Sequence, residues 1–286
     1  HHKDLYDKLD TILLPHDYLN FILTGEKTME YGDASGTSLL NIKERKWSEE
    51  LLKCIDSERD LSKCLPRLIE PDEIAGHVTK KASELFGIPE GIIVSSGAGD
   101  NMACAIGTGT VTNGSLIASL GTSGTLCGSS NKPIIDPDGN LAAFCSSTGI
   151  WLPLLCTMNC TVSTELTRNL FGLNLDDFNQ ESEKVPIGSN GVVIVPFFNG
   201  ERTPNYPKGK GCICGLTPDN MKPENFYRAS MEAAIFGLKL GLESFVKQGF
   251  DAKEIRIVGG GSKSKLWSQM MADVCNLPTV NPEIPE

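Results

Sequence analysis

EIRIVGGGSKSKLWSQMMADVC, from Glu254 to Cys275, is the stretch on which the fold turns. Its β-branched opening, EIRIV, reads as a strand, its three glycines as a tight turn, and the run from about Ser264 as a helix. That order sets free backbone amides at a helix N-terminus beside the carboxyl end of a strand, where open α/β sheets bind ligands. The glycines have neither the G-x-G-x-x-G spacing of a dinucleotide fold nor the Walker A pattern. A nucleotide's sugar, base or phosphate can still lie against Gly260 and Gly261, with Lys263 and Lys265 close in sequence. The competing reading makes each lysine a solvated residue at the start of a helix.

Working outward, the chain mixes α and β structure. GVVIVPFF (Gly191 to Phe198) is an apolar strand ending at Pro196, and a long helix spans about Glu224 to Lys247. SLIASLGTSGTLCGS (Ser115 to Ser129) reads as two β runs joined by Gly-Thr-Ser-Gly. Strands are expected at Leu141 to Cys145 and Ile150 to Leu154, and a helix at Ser163 to Phe171 closed by Gly172. Upstream, Leu5, Leu9 and Ile12 share one helical face. A second amphipathic stretch after Pro15, with Tyr18, Leu19 and Ile22, stops at Gly25. A helix capped by Ser48, with Trp47 placed to staple onto Leu52, ends before Pro66. TKKASELFG closes at Gly87 and leads into the strand IIVSS. A domain boundary is expected near Pro89 to Ile92, where a helical, charge-rich region gives way to a glycine-rich one.

The 286 residues carry 26 basic and 36 acidic side chains, a net charge of -10. No basic block suited to a phosphate backbone is present, which argues against a nucleic-acid partner. No apolar run approaches the roughly 20 residues that cross a bilayer, and HHKDLYDKLD is too polar for a secretory signal. Ten cysteines, mostly within apolar stretches, read as reduced core residues of a cytosolic protein. For the close pair in GCICG, Cys212 and Cys214, alternation along a strand accounts for the spacing, and no zinc pattern follows.

Three further features carry chemistry. In SGAGDNMACAIGTG (Ser96 to Gly109), Asp100 follows the strand directly. It is either a turn residue accepting backbone hydrogen bonds, or a base that takes a hydroxyl proton while Asn101 fixes the same substrate. The turn Gly121, Thr122, Ser123, Gly124 can aim several amides at a phosphate oxygen, or can be an ordinary hairpin. In PFFNGERTPNYPKGKG (Pro196 to Gly211), a loop stiffened by prolines, Glu201 and Arg202 either pair with each other or leave Arg202 to bind a substrate through its rigid fork of donors.

Taken together, LLPHDYLNFILTGE, YGDASGTSLLNI, GAGDN, SLGTSG, PFFNGERTP and IVGGGSKSKLWSQMMADV resemble, in a consistent order along nearly the whole chain, the FGGY family of sugar kinases, and within it the xylulose kinases. The resemblance implies an α/β, ribonuclease-H-like fold of the actin, hexokinase and heat-shock-protein-70 superfamily, with two domains closing a cleft on sugar and ATP. It implies ATP and Mg2+ as cofactors, Asp100 as general base, and Asn101 and Arg202 as sugar contacts. Gly121, Thr122 and Ser123 would meet the nucleotide phosphates, and Gly260, Gly261 and Lys265 would line the adenosine site. No metal ligand is assigned. D-xylulose, giving the 5-phosphate, is the favoured acceptor; L-ribulose, glycerol and gluconate are the alternatives, as is a binding module of the same fold without turnover. A homodimer stays open.

The chain lacks the D-x-G-T-T or D-x-G-T-S opening of the family and ends at NPEIPE, ahead of the usual closing helix. The resemblance therefore implies an internal fragment of low activity, mainly the second domain (93–286, without its last helix) with the tail end of the first (1–92).

Overall fold

The computed structural model describes residues 2–283, so His1 and the closing Ile284, Pro285 and Glu286 of NPEIPE lie outside the described residues. By its internal contacts the chain divides into two units. The first takes the residues up to Gly107 with Asn131–Pro133 and Ala143–Leu152; the second takes Thr108–Ser130, Ile134–Ala142 and the chain from Pro153 onward.

The first unit contains α1 (Lys3–Tyr6), α2 (Pro15–Thr24), β1 (Thr28–Glu30), α3 (Tyr31–Gly36), β2 (Leu40–Asn41) and β3 (Lys46–Trp47). There follow α4 (Glu49–Ile55), β4 (Arg67–Ile69), β5 (Ile74–His77), α5 (Lys80–Phe86), β6 (Ile93–Ser95) and α6 (Asp100–Gly107). Its strands pair only in twos: β1 with β4 in parallel, β2 with β3 and β5 with β6 antiparallel. Met29, Ala34, Leu40 and Cys145 form a small buried cluster against which Leu14, Trp47 and Trp151 pack.

Several expected caps are present. Ser48 accepts from the Leu51 amide at the start of α4, and Gly25 and Gly87 take left-handed conformations that close α2 and α5; a cap the sequence reading did not name, Thr79 accepting from the Ala82 amide, starts α5. The helix expected from Leu5, Leu9 and Ile12 shrinks to the single turn of α1. Beyond it the Ile12 amide donates to the Cys64 carbonyl at 2.8 Å and Leu5 stays exposed, so a tertiary hydrogen bond outweighs a marginal local helix. In α2 the buried residues are Asp17 and Thr24, whereas Tyr18 and Leu19 face outward.

The second unit is built on a five-stranded mixed sheet. Its elements are β7 (Ser115–Leu120), β8 (Gly124–Gly128), β9 (Leu154–Thr157), α7 (Thr161–Phe171), α8 (Leu175–Glu183), β10 (Val193–Val195) and β11 (Cys212–Cys214). Then come α9 (Pro223–Lys247), β12 (Glu254–Val258), α10 (Lys265–Cys275) and β13 (Thr279–Val280). The sheet runs β13-β12-β7-β8-β9, with β13, β12 and β7 parallel and β8 and β9 antiparallel. The α9 helix buries Met231, Ile235, Leu238, Leu242 and Phe245 against Leu116, Leu120, Leu126 and Leu155 of the sheet. One such side chain buries enough apolar surface to stabilise the fold by about 1.5–3 kcal/mol.

Around Pro153 the expected strand pair is reduced to isolated bridges, Ala142 with Leu154 and Cys145 with Trp151, and the regular strand begins only at Leu154. Proline has no amide to give a ladder, which interrupts the pairing there. The α8 helix, capped by Asn174 on the Asp177 amide, is absent from the sequence reading. The cysteines also divide. Cys64, Cys127, Cys145, Cys160 and Cys275 are buried as expected, but Cys54, Cys104, Cys212 and Cys214 are exposed.

Candidate active site

Two glycine turns far apart in sequence meet at one end of the second unit's sheet. Strand β12 pairs with β7 in parallel, Val258 opposite Ser119, so the turns that follow both strands emerge together at their carboxyl ends. Gly259 has φ +80°, and a Cβ there would stand 3.2 Å from the Leu120 backbone, so only glycine fits. The carbonyls of Gly121 and Thr122 accept from the Thr161 and Cys160 amides at 2.9 and 3.1 Å. With its carbonyls tied to the start of α7, the turn leaves the Thr122 and Ser123 amides without acceptors among the described residues. That is the polarity a phosphate oxygen needs.

Beside Gly260 and Gly261 opens a cavity of about 460 Å³, lined also by Thr161, Thr164, Glu165, Asn179 and Trp267. Its size lies within the range of small-molecule sites. Lys263 lines it, whereas Lys265, the lysine implied by the resemblance, is exposed on α10 and outside the lining. The contributions of α7 and α8 are missing from the sequence reading, because polar residues on two helices of separate segments carry no shared spacing.

The two glycines of this wall differ in what they tolerate. A Cβ on Gly261 would meet Leu120 Cβ and Trp267 Cζ3, each at 2.6 Å, and Trp267 is held by its indole N–H on the Met231 carbonyl. Nothing lies within 4 Å of the same position on Gly260. Gly261→Ala is expected to cost about 1–3 kcal/mol in denaturant unfolding through overpacking. Gly260→Ala should stay within about 0.5 kcal/mol of the parent, and shows itself only as weaker nucleotide binding in calorimetry.

In the first unit, Asp100 is the first residue of α6 rather than part of a turn. It is exposed; its Oδ1 accepts from the Asn101 backbone and side-chain amides at 2.7 and 3.0 Å, leaving Oδ2 without a protein partner among the described residues. The glycines ahead of it rest on a charged pair that sequence reading misses. A Cβ on Gly97 would lie 2.6 Å from His16 Cδ2, and one on Gly99 would lie 3.2 Å from Asp33 Oδ1. His16 Nδ1 pairs with Asp33 at 2.6 Å and Nε2 with Asp17 at 3.0 Å. Asp33 is set in turn by Glu30, whose buried carboxylate caps α3 by accepting the Gly32 and Asp33 amides at 2.7 and 2.6 Å. Burial pushes the Glu30 carboxyl above its ordinary range, and these amides oppose the rise.

Hydrogen bonding to Asp17 and then Asp33 raises His16 from 6.5 to about 10, against the opposing effect of burial. A group whose pKa is raised on folding stabilises most below its unfolded value and loses that contribution as pH climbs through the folded one. His16→Gln is therefore expected to lose about 2–4 kcal/mol at neutral pH by stranding two carboxylates. The difference in stability between parent and variant should be largest below pH 6.5 and close as pH passes about 10. Urea melts across that range measure it.

His16, Asp17 and Asp33 are the cluster of three potential metal ligands among the described residues. They do not suit Mg2+, which prefers six oxygens, because both imidazole nitrogens already face carboxylates and the raised pKa keeps the ring protonated.

The loop after β10 divides its two charges. Glu201 is buried and does not pair with the Arg202 side chain: its carboxylate accepts from the Met158, Arg202 and Asn159 amides at 2.5, 2.8 and 3.1 Å. Arg202 is exposed, and its guanidinium makes no ion pair among the described residues.

Models of the two domains of the FGGY family of carbohydrate kinases match this sequence, the N-terminal model over residues 1–107 and the C-terminal model over 116–286. The chain belongs to that family. The expectation of an internal fragment, mainly the second domain with a tail end of the first and lacking most of the N-terminal domain, is overturned, because both domain models match. Among curated relatives, the chain is similar to the xylulose kinase of Haemophilus influenzae, 43% identical across 98% of this chain and 57% of that protein. It is likewise similar to the xylulose kinase of Streptomyces rubiginosus, 36% identical across 90% of this chain and 51% of that one. A solved structure described as a xyloylose kinase from Brucella ovis superposes with a TM-score of 0.92 at 30% identity, covering all of this chain and 59% of its own. The chain thus spans about half the length of the curated relatives it matches. Among the described residues, no helix is long and apolar enough to cross a membrane.

Proposed function

We propose that the protein is a sugar kinase that transfers the γ-phosphoryl group of ATP to D-xylulose, giving D-xylulose 5-phosphate. The observation that carries the reading is the meeting of the Gly121–Ser123 and Gly259–Gly261 turns at the carboxyl ends of β7 and β12, beside a cavity of about 460 Å³. Phosphoryl transfer asks mainly for positioning and charge stabilisation, and converging amides on a rigid sheet end supply both. Kinship to proteins named xylulose kinase favours the ketose among possible acceptors.

In this reading the Thr122 and Ser123 amides hold phosphate oxygens, while Gly260 and Gly261 let the nucleotide approach the backbone. Asp100 Oδ2 takes the proton of the attacking sugar hydroxyl. Asn101 orients the Asp100 carboxylate through its amides and, with Arg202, binds the sugar. ATP enters as its magnesium complex, the form typical of the family, and the ion neutralises phosphate charge when bound. The test is ADP release by the protein with D-xylulose, L-ribulose, glycerol and gluconate, with and without Mg2+. Release that requires both D-xylulose and Mg2+ supports the proposal; tight sugar binding with no release over background overturns it in favour of a binding module.

A further inference from the structure

The carboxylate proposed as the base does little to hold itself in place. Among the described residues its partners are the two amides of Asn101, its neighbour in the chain. Where Asp100 stands therefore depends on the backbone that delivers it, from Ser96 to Gly99, and on the rotation of α6 about its own axis.

Other segments set both. Asn20 of α2 donates its side-chain amide to the Ser95 and Ser96 carbonyls at 3.2 and 3.1 Å, and the Ser96 hydroxyl donates to the Pro71 carbonyl at 2.7 Å. His16, one helical turn before Asn20 and so on the same face, lies against Gly97: a Cβ there would stand 2.6 Å from its ring. Asp33 lies against Gly99 in the same way, its Oδ1 3.2 Å from the corresponding point. Buried Met102, two residues after Asp100, closes the contact from α6. Its Cγ and Sδ lie 3.0 and 3.1 Å from where Gly32 and Gly99 would carry a Cβ, so the start of α6 is seated on the first turn of α3.

The clamp is itself fixed. The His16 ring is held from both sides, Nδ1 facing Asp33 at 2.6 Å and Nε2 facing Asp17 at 3.0 Å, and Asp17 is buried and accepts the Leu14 amide at 3.0 Å. Asp33 is tied through its own amide to Glu30, whose carboxylate also takes the Gly32 amide and the Ser147 hydroxyl at 2.7 and 3.3 Å. Supporting side chains whose own rotamers are locked by packing and hydrogen bonds are what a reacting group needs behind it. A misplacement of about 1 Å there costs about 10²-fold in rate.

We propose that His16 and Asp33 are positioning residues of the phosphoryl transfer: they fix the Gly97–Gly99 backbone so that Asp100 Oδ2 meets the sugar hydroxyl, and they touch no substrate themselves. The inference rests on the reading of Asp100 as the base. The pair moves no proton in the reaction. Its contribution falls on kcat, because nucleotide binding is assigned to the turns of the second unit.

Steady-state kinetics of Asp33→Ala and Asp33→Asn test it, with thermal melts fixing the folded fraction. Asp33→Ala empties the space beside Gly99 without stranding His16, which keeps Asp17. Its kcat should fall about 10–100-fold while KM for D-xylulose and for ATP stays within about twofold. Asp33→Asn keeps the shape and an oxygen for His16 Nδ1, and should retain kcat within about threefold. Leu52→Ala, at a buried position of the same unit, should lower Tm at least as far yet leave kcat at the parent's value below its melting range. Gly99→Ala strands no charge and presses on Asp33 and Met102 from the other side, and should lower kcat by about threefold or more. Parent-like kcat in both Asp33→Ala and Gly99→Ala overturns the proposal. So does a sugar KM that rises more than kcat falls, which makes Asp33 a sugar contact, and so does an equal loss of kcat in Leu52→Ala. Asp100→Asn, measured alongside, keeps the two readings apart: parent-like turnover there overturns the base and this inference with it, whereas a slow Asp100→Asn beside a parent-like Asp33→Ala overturns the inference alone.

Discussion

Asp100→Asn is expected to lower the rate of sugar phosphorylation by about 10²–10⁴-fold, the contribution of a positioned general base. The loss should appear equally in kcat and kcat/KM, because the interaction removed is one that matters only as the hydroxyl proton departs. The fold should survive. Asparagine keeps the shape of aspartate, and its Oδ1 can still accept the Asn101 amides that now bind Asp100 Oδ1 at 2.7 and 3.0 Å. What disappears is the basicity of Oδ2, the oxygen with no partner among the described residues. ATP affinity should move by no more than about twofold, since the amides and glycines proposed to hold the nucleotide are untouched. Steady-state ADP release, with nucleotide affinity measured separately by calorimetry, checks both halves. Turnover equal to the parent would return Asp100 to the role of a helix-start residue.

That residue also shows which parts of the molecule a sequence discloses. The segment Glu254 to Cys275 was legible because its strand, turn and helix are contiguous and each has a local signature. The β7–β8 hairpin, α7 with its Gly172 cap and the span of α9 were readable for the same reason. The site was legible only where it coincides with such punctuation, at the glycine turns and at Asp100. His16 and Asp33, which support the backbone ahead of Asp100, lie 17 residues apart with no periodicity to link them. Their meeting depends on where β1 and α3 deliver Asp33, a tertiary fact. The cavity walls from α7 and α8 were invisible for that reason too, and α8 itself, short and strongly polar, offered little apolar pattern to read. GCICG misled in the opposite direction. Its alternation was read correctly as a strand, but a two-stranded ribbon covers neither cysteine.

Glu201→Ala is expected to cost about 3 kcal/mol of stability, or roughly 6–12 °C in Tm. The carboxylate joins two segments, since it accepts the Met158 amide and the Asn159 side chain that follow β9 as well as the Arg202 amide of its own loop. Asn159 in turn donates to the Gly200 carbonyl at 2.7 Å and accepts the Asn199 amide at 3.2 Å. Truncation leaves amide donors in a buried setting without an acceptor, and an unmet donor there costs about 1–3 kcal/mol. Glu201→Gln should be milder, because one amide oxygen can still take part of the set. The Arg202 variant separates anchoring from binding. If the two charges were a mutual pair, Arg202→Ala would cost as much stability as Glu201→Ala. With Arg202 exposed and unpaired, its loss should change stability by no more than about 0.5 kcal/mol while raising KM for the sugar. Thermal melts of the three variants beside their sugar KM values decide the matter: equal melting losses in Glu201→Ala and Arg202→Ala would mean that the loop is held by an ion pair rather than by the carboxylate's backbone contacts.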